Sequence, residues 1–271
     1  MNIFRKTALL ALCAALSLPL AACAGGGEKE PAGTSGAVTS DTSAEITETE
    51  TTTEEEIIFS EEEMNGKNVY RVKRVEKKAD IDWNSVPAAA IDSYGWVECT
   101  EYKAYAQLVF AEDFGFVCRM TCEEDSPAAT YTKFDDPVCL DSCMEFFVCF
   151  SGNSYLNLEA NSIGTKCMGY GPSRESRKSV RYRLPGGFDA IPEVSDGVWT
   201  MTYELSMENI QIFYPDVTVE TFAPGYEFSG NFYKTGGQEI TGNEHYGMWN
   251  EVKTENPDFH QPSQFGIFIM E

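Results

Sequence analysis

The sequence predicts an all-β protein: a two-sheet antiparallel β-sandwich of jelly-roll type, preceded by a signal peptide and a disordered acidic tether. Three observations predict it. Apolar residues alternate with period two from Val69 onward. Clusters of Gly, Pro, Asn and Asp, such as Pro185-Gly186-Gly187 and Gly236-Gly237, break up the alternation. No long helical period intervenes, and many short strands between turns are what a sandwich requires.

The chain opens on a leader. Arg5 and Lys6 precede an uncharged apolar run from Thr7 to Leu20, too short to cross a bilayer but suited to a signal peptide. Leu20-Ala21-Ala22-Cys23 resembles the bacterial lipobox, in which cleavage precedes the Cys and its sulfur receives a diacylglyceryl group. The expected leader is residues 1–22, with Cys23 lipidated and the protein held extracytoplasmically at the bacterial cell membrane. An ordinary cleavage site with an incidental Cys is the alternative. Residues 23–63 form the tether: beyond Cys23, 12 acids stand against the single base Lys29. Such a segment buries too little apolar area to offset its ordering entropy, and self-repulsion extends it.

Residues 64–271 read as one domain. Phe114, Phe116, Cys118, Met120 and Cys122 form one apolar strand face opposite Arg119 and Thr121. Met144, Phe146, Val148 and Phe150 repeat the pattern. Tyr155, Asn157 and Glu159 then alternate with Leu156, Leu158 and Ala160. Further strands are expected over 180–184, 198–205, 226–234 and 265–270. Seven cysteines fall in the domain, several on apolar faces and none in a C-x-x-C, so mostly free buried thiols are expected. Cys118 and Cys122, four apart on one strand, are about 13 Å apart and cannot bridge each other. Zinc spacing is absent.

The formal charge of −23 excludes a protein that binds nucleic acid through a basic surface. The 42% hydrophobic content excludes full disorder, and no run is long enough for a polytopic membrane protein. With two His, no H-E-x-x-H, no G-x-S-x-G and no phosphate-binding Gly loop, enzyme signatures are missing. Asp136, Asp141 and Glu145 could supply a carboxylate pair for glycoside hydrolysis, but Asp135-Asp136-Pro137 reads equally as a turn. No catalytic residue is assigned.

Four stretches, in order, resemble the family 9 carbohydrate-binding modules. They are Asp136 to Phe147, where a Cys stands in place of a common Trp; Tyr155 to Gly164; Gly169-Tyr-Gly-Pro-Ser-Arg174 with Arg177; and Gly230 to Lys234, followed by Tyr246-Gly-Met-Trp249, Pro257 to His260 and Phe265-Gly266. The resemblance covers about residues 80–271. It implies a sandwich that binds oligo- or polysaccharide without cleaving it, working beside glycoside hydrolases or transporters. No cofactor is implied; some such modules hold a structural calcium, although no EF-hand spacing supports one here.

A sugar ring offers an apolar face and a rim of hydroxyls, so flat aromatics and fixed polar groups should bind it. Trp249 with Tyr246 is the expected stacking platform, and Tyr170, between two glycines, the second. Arg174, Asn231, Lys234 and Asn157 are the expected rim. The opposite jaw to Trp249 falls to Tyr170 or Trp96. Trp83, Trp96 and Trp199 otherwise read as core, Arg174 as a partner for Glu175 or Glu159, and His260 as a hydrogen bonder holding the C-terminal strand. Three further readings stand beside this one: a haem-binding electron-transfer sandwich using Met and His, an unusual glycoside hydrolase, and a surface scaffold that binds another protein.

Overall fold

The computed structural model describes residues 66–271; the leader, Cys23 and the tether fall outside them. The described residues form fourteen strands: β1 (Val69–Val75), β2 (Ala89–Ile91), β3 (Ser93–Tyr94), β4 (Ala104–Ala111), β5 (Gly115–Glu123), β6 (Cys143–Cys149), β7 (Tyr155–Asn161), β8 (Lys166–Gly171), β9 (Lys178–Ser179), β10 (Asp189–Ser195), β11 (Val198–Ser206), β12 (Glu227–Gly236), β13 (His245–Met248) and β14 (Gly266–Met270). Two short helices, α1 (Met207–Gln211) and α2 (Gln238–Thr241), interrupt them. Ser206 caps α1 by accepting from the Asn209 N–H.

Two layers result. The first runs β14-β12-β6-β7-β8-β9, with β13 continuing the β14 side of β12 and β3 paired to β13; the second runs β10-β11-β5-β4, with β2 also on β4. β1 belongs to both. Val69 to Val72 pair with Ile267 to Met270, and Lys73 to Val75 pair with Val109 to Ala111. Both pairings are parallel, which corrects the expectation of a purely antiparallel sandwich. One strand whose halves pair with different sheets makes the corner between them.

The alternation read from the sequence sorts the faces. Phe116, Cys118, Met120 and Cys122 of β5 face Met144, Phe146 and Val148 of β6 in one core. Tyr203 spans it, its hydroxyl donating to the Met144 carbonyl at 2.7 Å. Phe116, Phe150, Phe222 and Phe228 meet at ring-centroid distances of 4.8 to 6.1 Å. Burying each such ring contributes about 1.5–3 kcal/mol. None of the seven cysteines among the described residues forms a disulfide, and Cys118, Cys122, Cys143 and Cys149 are buried.

One strand expectation fails, and one edge strand stands where none is expected. Residues 180–184 are not a strand: Val180–Tyr182 is a 3-10 turn, begun by Ser179 capping the Arg181 N–H, and Pro185 follows. β10, unmarked by alternation, pairs with β11 along its whole length. Its Pro192 is tolerated because β10 is an edge strand. Trp83 is half-buried rather than core, lying in a 3-10 turn with the Arg119 guanidinium 5.7 Å from its ring.

Candidate functional site

The outward face of the first sheet carries a second apolar cluster of Phe147, Cys149, Tyr155, Tyr233, Met248, Val252, Phe259 and Phe265, with Trp96 and Tyr246 against it. The segment after β13 covers part of this face. Phe259 stacks on Tyr233 at 3.9 Å and His260 lies over Phe147 at 4.9 Å. Across the sheet, the segment before β6 is pinned by Asp141, which accepts from the Thr130 and Tyr131 N–H groups and from Asn161. Asp136 accepts from the Lys133 N–H. Both aspartates offered for hydrolysis therefore hold loops.

Between these two covers lies a buried polar strip. Glu145 of β6 and Glu159 of β7 are directly opposed in register, which sets their Cβ atoms roughly 5 Å apart. They are 2% and 4% exposed. Thr235 donates to Glu145 at 2.9 Å. Asn157 donates to Glu159 at 3.0 Å through Nδ2. Burial raises the Glu159 carboxyl above its ordinary range, against the opposing pull of Arg177, Arg174 and the Asn157 bond. Asn157 Oδ1 is fully buried and accepts no hydrogen bond; among the described residues it is the buried side-chain oxygen or nitrogen left without a partner.

Two arginines close one end. Gly169 and Gly171 of β8 admit them: a Cβ at Gly169 would lie 2.7 Å from Asn157 Oδ1 and 3.1 Å from Arg177 Cδ, and one at Gly171 would lie 2.5 Å from Arg177 Cα. The glycines thus let the turn closed by Arg177 N–H to Ser173 O, at 3.0 Å, lie flat on the strand. Arg174 Nε donates to Asp258 Oδ1 at 2.9 Å, and its terminal nitrogen bonds the same oxygen. It pairs with neither Glu175 nor Glu159, the two partners considered above. Arg177 reaches His260 Nδ1 at 3.4 Å, where Tyr155 Oη also lies at 2.7 Å. An arginine cannot accept, so His260 Nδ1 accepts from both. Burial and the two arginines keep its pKa well below the usual value.

Aromatics wall the other end. Trp96 and Tyr246 are half-buried and meet edge to face at 5.6 Å. Trp96 adopts φ 67°, and the Val97 N–H donates to Gly95 O at 2.8 Å across it. A tryptophan in this region is strained by about 1–3 kcal/mol, a cost that recurs at functional sites. Its indole N–H holds the Thr254 carbonyl at 2.9 Å.

Of the expected site residues, the structure brings Asn157, Arg174 and Tyr246 to this face, covers Asn231 on it, and takes Trp249, Tyr170 and Lys234 away from it. Trp249 is 7% exposed and belongs to the core between the sheets. Its indole stacks on Phe268 at 5.4 Å and 9° and packs over Gly266, where a Cβ would come within 2.4 Å of the ring; no face remains for a sugar. Tyr170 points to the opposite side of the sheet, packs on Phe213 and Tyr214, and donates to the Phe213 carbonyl at 2.9 Å. Its flanking glycines serve Arg177 instead. Asn231 is buried and exchanges bonds with the Asn250 carbonyl and N–H, at 2.8 and 2.9 Å. Lys234 is fully buried on the core side.

Lys234 anchors an internal network. Its ammonium donates to Thr235 O at 3.1 Å and His245 Nε2 at 2.9 Å, and lies 3.4 Å from Glu124 Oε2. Glu124 also accepts from the Trp199 indole at 2.9 Å and from Ser142 at 2.6 Å. Because an ammonium only donates, His245 Nε2 accepts, and Nδ1–H donates to the Asn243 carbonyl at 2.7 Å. Burial and the Lys234 charge lower the His245 pKa to about 3. A cavity of about 270 Å³, lined by Tyr102, Glu124, Ser142 and Thr241 among others, opens onto this end. Among the described residues no group of three or more His, Cys, Asp or Glu side chains could hold a metal ion.

Residues 76–270 match the carbohydrate-binding family 9. A protein from Bacteroides uniformis, reported as a candidate carbohydrate-binding protein, superposes with a TM-score of 0.63 at 20% identity, over 76% of this chain and all of that one. A family 9 carbohydrate-binding module from Caldicellulosiruptor kristjanssonii, solved with cellotriose, superposes with a TM-score of 0.53 at 11% identity, over 75% of this chain and 94% of the other. At these identities the likeness is one of fold. No curated protein matches the chain.

Proposed function

Because the chain belongs to carbohydrate-binding family 9, we propose that it binds an oligo- or polysaccharide in the buried strip between Trp96 and Arg177 and releases it unchanged. The observation that carries this reading is the Asn157 Oδ1 atom, fully buried and without a hydrogen-bond donor. Such an orphan costs about 1–3 kcal/mol, a cost that a donating ligand hydroxyl relieves once the neighbouring Arg177 side chain shifts to open the buried atom. Around it stand the groups a sugar requires: the Glu145 and Glu159 carboxylates as acceptors, the Arg177 guanidinium as donor, and the Trp96–Tyr246 edge as an apolar wall.

In this reading the leader and Cys23 place the protein extracytoplasmically with a lipid in the membrane, and the acidic tether lifts the domain from it. The saccharide is held there for glycoside hydrolases or transporters. The lipobox-like Leu20-Ala-Ala-Cys23 and the composition of residues 24–63 support this placement. The test is calorimetric titration of a glycan panel into the wild-type chain and into Asn157→Ala. Saturable binding without release of reducing sugar, weakened about tenfold in the variant, is expected. An affinity unmoved by Asn157→Ala removes the strip from the site.

A further inference from the structure

Opening the strip takes away its positive charge. Glu145 of β6 and Glu159 of β7 oppose each other in register and are almost fully buried. The titratable groups around them come from every neighbouring element. On the same face, β12 sets Tyr233 beside Glu145 and β8 sets Cys167 beside Glu159. Asp141, ahead of β6, is answered by the Thr130 and Tyr131 N–H groups and by Asn161. The segment after β13 brings Asp258 and His260, and the turn after β8 brings Arg174 and Arg177. Arg174 is matched by Asp258. His260 accepts at Nδ1 and stays neutral.

Arg177 is therefore the cation that acts on Glu159, and it does so through space. Its guanidinium donates to the Arg174 carbonyl at 3.3 Å and to His260 Nδ1 at 3.4 Å, and bonds neither Glu159 nor Asn157. Burial keeps the Glu159 carboxyl above its ordinary range even with this charge nearby. The same side chain covers the orphan acceptor. A Cβ at Gly169 would lie 2.7 Å from Asn157 Oδ1 and 3.3 Å from Arg177 Nε, so the oxygen and the guanidinium share the space above Gly169.

A ligand that reaches Asn157 Oδ1 thus displaces Arg177 and the counter-charge with it. A neutral sugar in that place leaves two buried carboxyls facing each other without a cation, and one of them must take up a proton. A sugar that carries an ammonium replaces what it displaces. An ammonium has three N–H donors, and the strip holds acceptors to match. Asn157 Nδ2 donates to Glu159 at 3.0 Å, which sets its Oδ1 beside that carboxylate, and Glu145 lies across from it. We propose that the saccharide is an amino sugar with a free, unacetylated amine, whose ammonium sits among Glu145, Glu159 and Asn157 in place of the Arg177 guanidinium. The proposal rests on the saccharide-binding reading of the strip and adds the class of sugar. The formal charge of −23 works in the same direction, because an acidic surface concentrates cationic ligands around it.

The experiment titrates the full chain with cellotriose and with the glucosamine trimer of the same linkage, which differ by a hydroxyl or an ammonium on each ring. An amine flanked by electron-withdrawing carbons titrates near 8, as an α-amino group does, so the titrations are run at about pH 6.5 and about pH 9.5. Salt is held at about 0.5 M, where attraction to the acidic surface at large is screened and a buried contact is screened much less. The glucosamine trimer should bind roughly tenfold tighter than cellotriose at the lower pH, and the advantage should vanish at the higher pH. Glu159→Gln keeps an acceptor for Asn157 and removes a charge; in it the tenfold ratio should collapse to within about twofold, whatever becomes of each affinity. Glu145→Gln repeats the comparison if the first variant does not melt cooperatively. Equal affinity at the lower pH, or an advantage that persists at the higher pH or in the variants, overturns the amino-sugar class. Cellotriose binding that Asn157→Ala weakens then leaves the strip standing. Binding of neither trimer overturns the class too, and failure of the whole glycan panel overturns the strip with it.

Discussion

Two tryptophans of this chain exchange the roles their sequence contexts suggest. Trp249 sits in a Gly-containing loop and reads as exposed, yet it is sandwiched by Phe268 and Phe232 in the core. Trp96 reads as core or as a second jaw, and it is half-exposed in a strained turn. Trp249→Ala should therefore cost about 3–5 kcal/mol of folding stability. Trp96→Ala should leave the melting temperature nearly unchanged and weaken saccharide binding about tenfold or more. Calorimetry and melting on both variants check this, and a reversed pattern returns the platform to Trp249. His245 gives a pH prediction. Its pKa falls from 6.5 to about 3 on folding, so the native state binds fewer protons between those values. Its stabilisation is present above pH 6.5 and lost as pH falls toward 3, by on the order of 5 kcal/mol in all. His260 acts in the same sense. Glu159, raised by burial, acts oppositely: its contribution is present below 4.5 and lost as it ionises at higher pH. His245→Gln keeps an acceptor for Lys234 and should flatten the slope of melting temperature against pH from 3 to 6.5. A slope equal to wild type would show that the histidine already titrates normally in the fold.

At the scale of elements, β1 matters most. It precedes the residues matched to the family, yet each of its halves pairs with a different sheet. The Ile267 and Glu271 N–H groups bond the Asn68 and Val72 carbonyls, while those of Glu112 and Asp113 bond Val75 and Glu76. A chain beginning at residue 76 would uncover the β14 and β4 edges together, and with them Tyr70 and Val72 of the core. It should lose its single cooperative melt and aggregate. A truncated chain that melts like the whole one would show that the corner is dispensable. The polar network at the β12–β13 end illustrates a different point. Lys234 and Asn231 lie three apart on one strand and so point to opposite faces. One is sealed between the sheets and the other beneath a loop, and neither is available to a ligand.

For the whole molecule, the thiols report the packing. Burial pushes Cys122 and Cys149 to about 12, and Cys118 and Cys143 well above 9. Thiolates are the reactive form, so of the seven domain thiols only Cys99, Cys139 and Cys167, which are partly exposed, should alkylate in the native protein. All seven should react in denaturant. Mass spectrometry of the labelled chain decides it, and native labelling of Cys118 would contradict the core described here. The sequence by itself determined the all-β class and the faces of β5, β6 and β7, because a period of two is a local consequence of strand geometry. It also set Asn157 and Glu159 on the face opposite Leu158, for the same reason. What it could not determine was which residues of that face are covered, because that depends on distant segments folding over the sheet. The segment from Val252 to Phe265 covers Asn231 and Phe147, β14 seals Trp249 inside, and the turn from Ser173 brings Arg177 over Asn157. The parallel corner at β1 was hidden likewise, since residues near 70 and 267 meet only in three dimensions. Tertiary packing chose the candidate site from a larger set by deciding which segments fold over each face of the sheet and which polar groups they leave side by side.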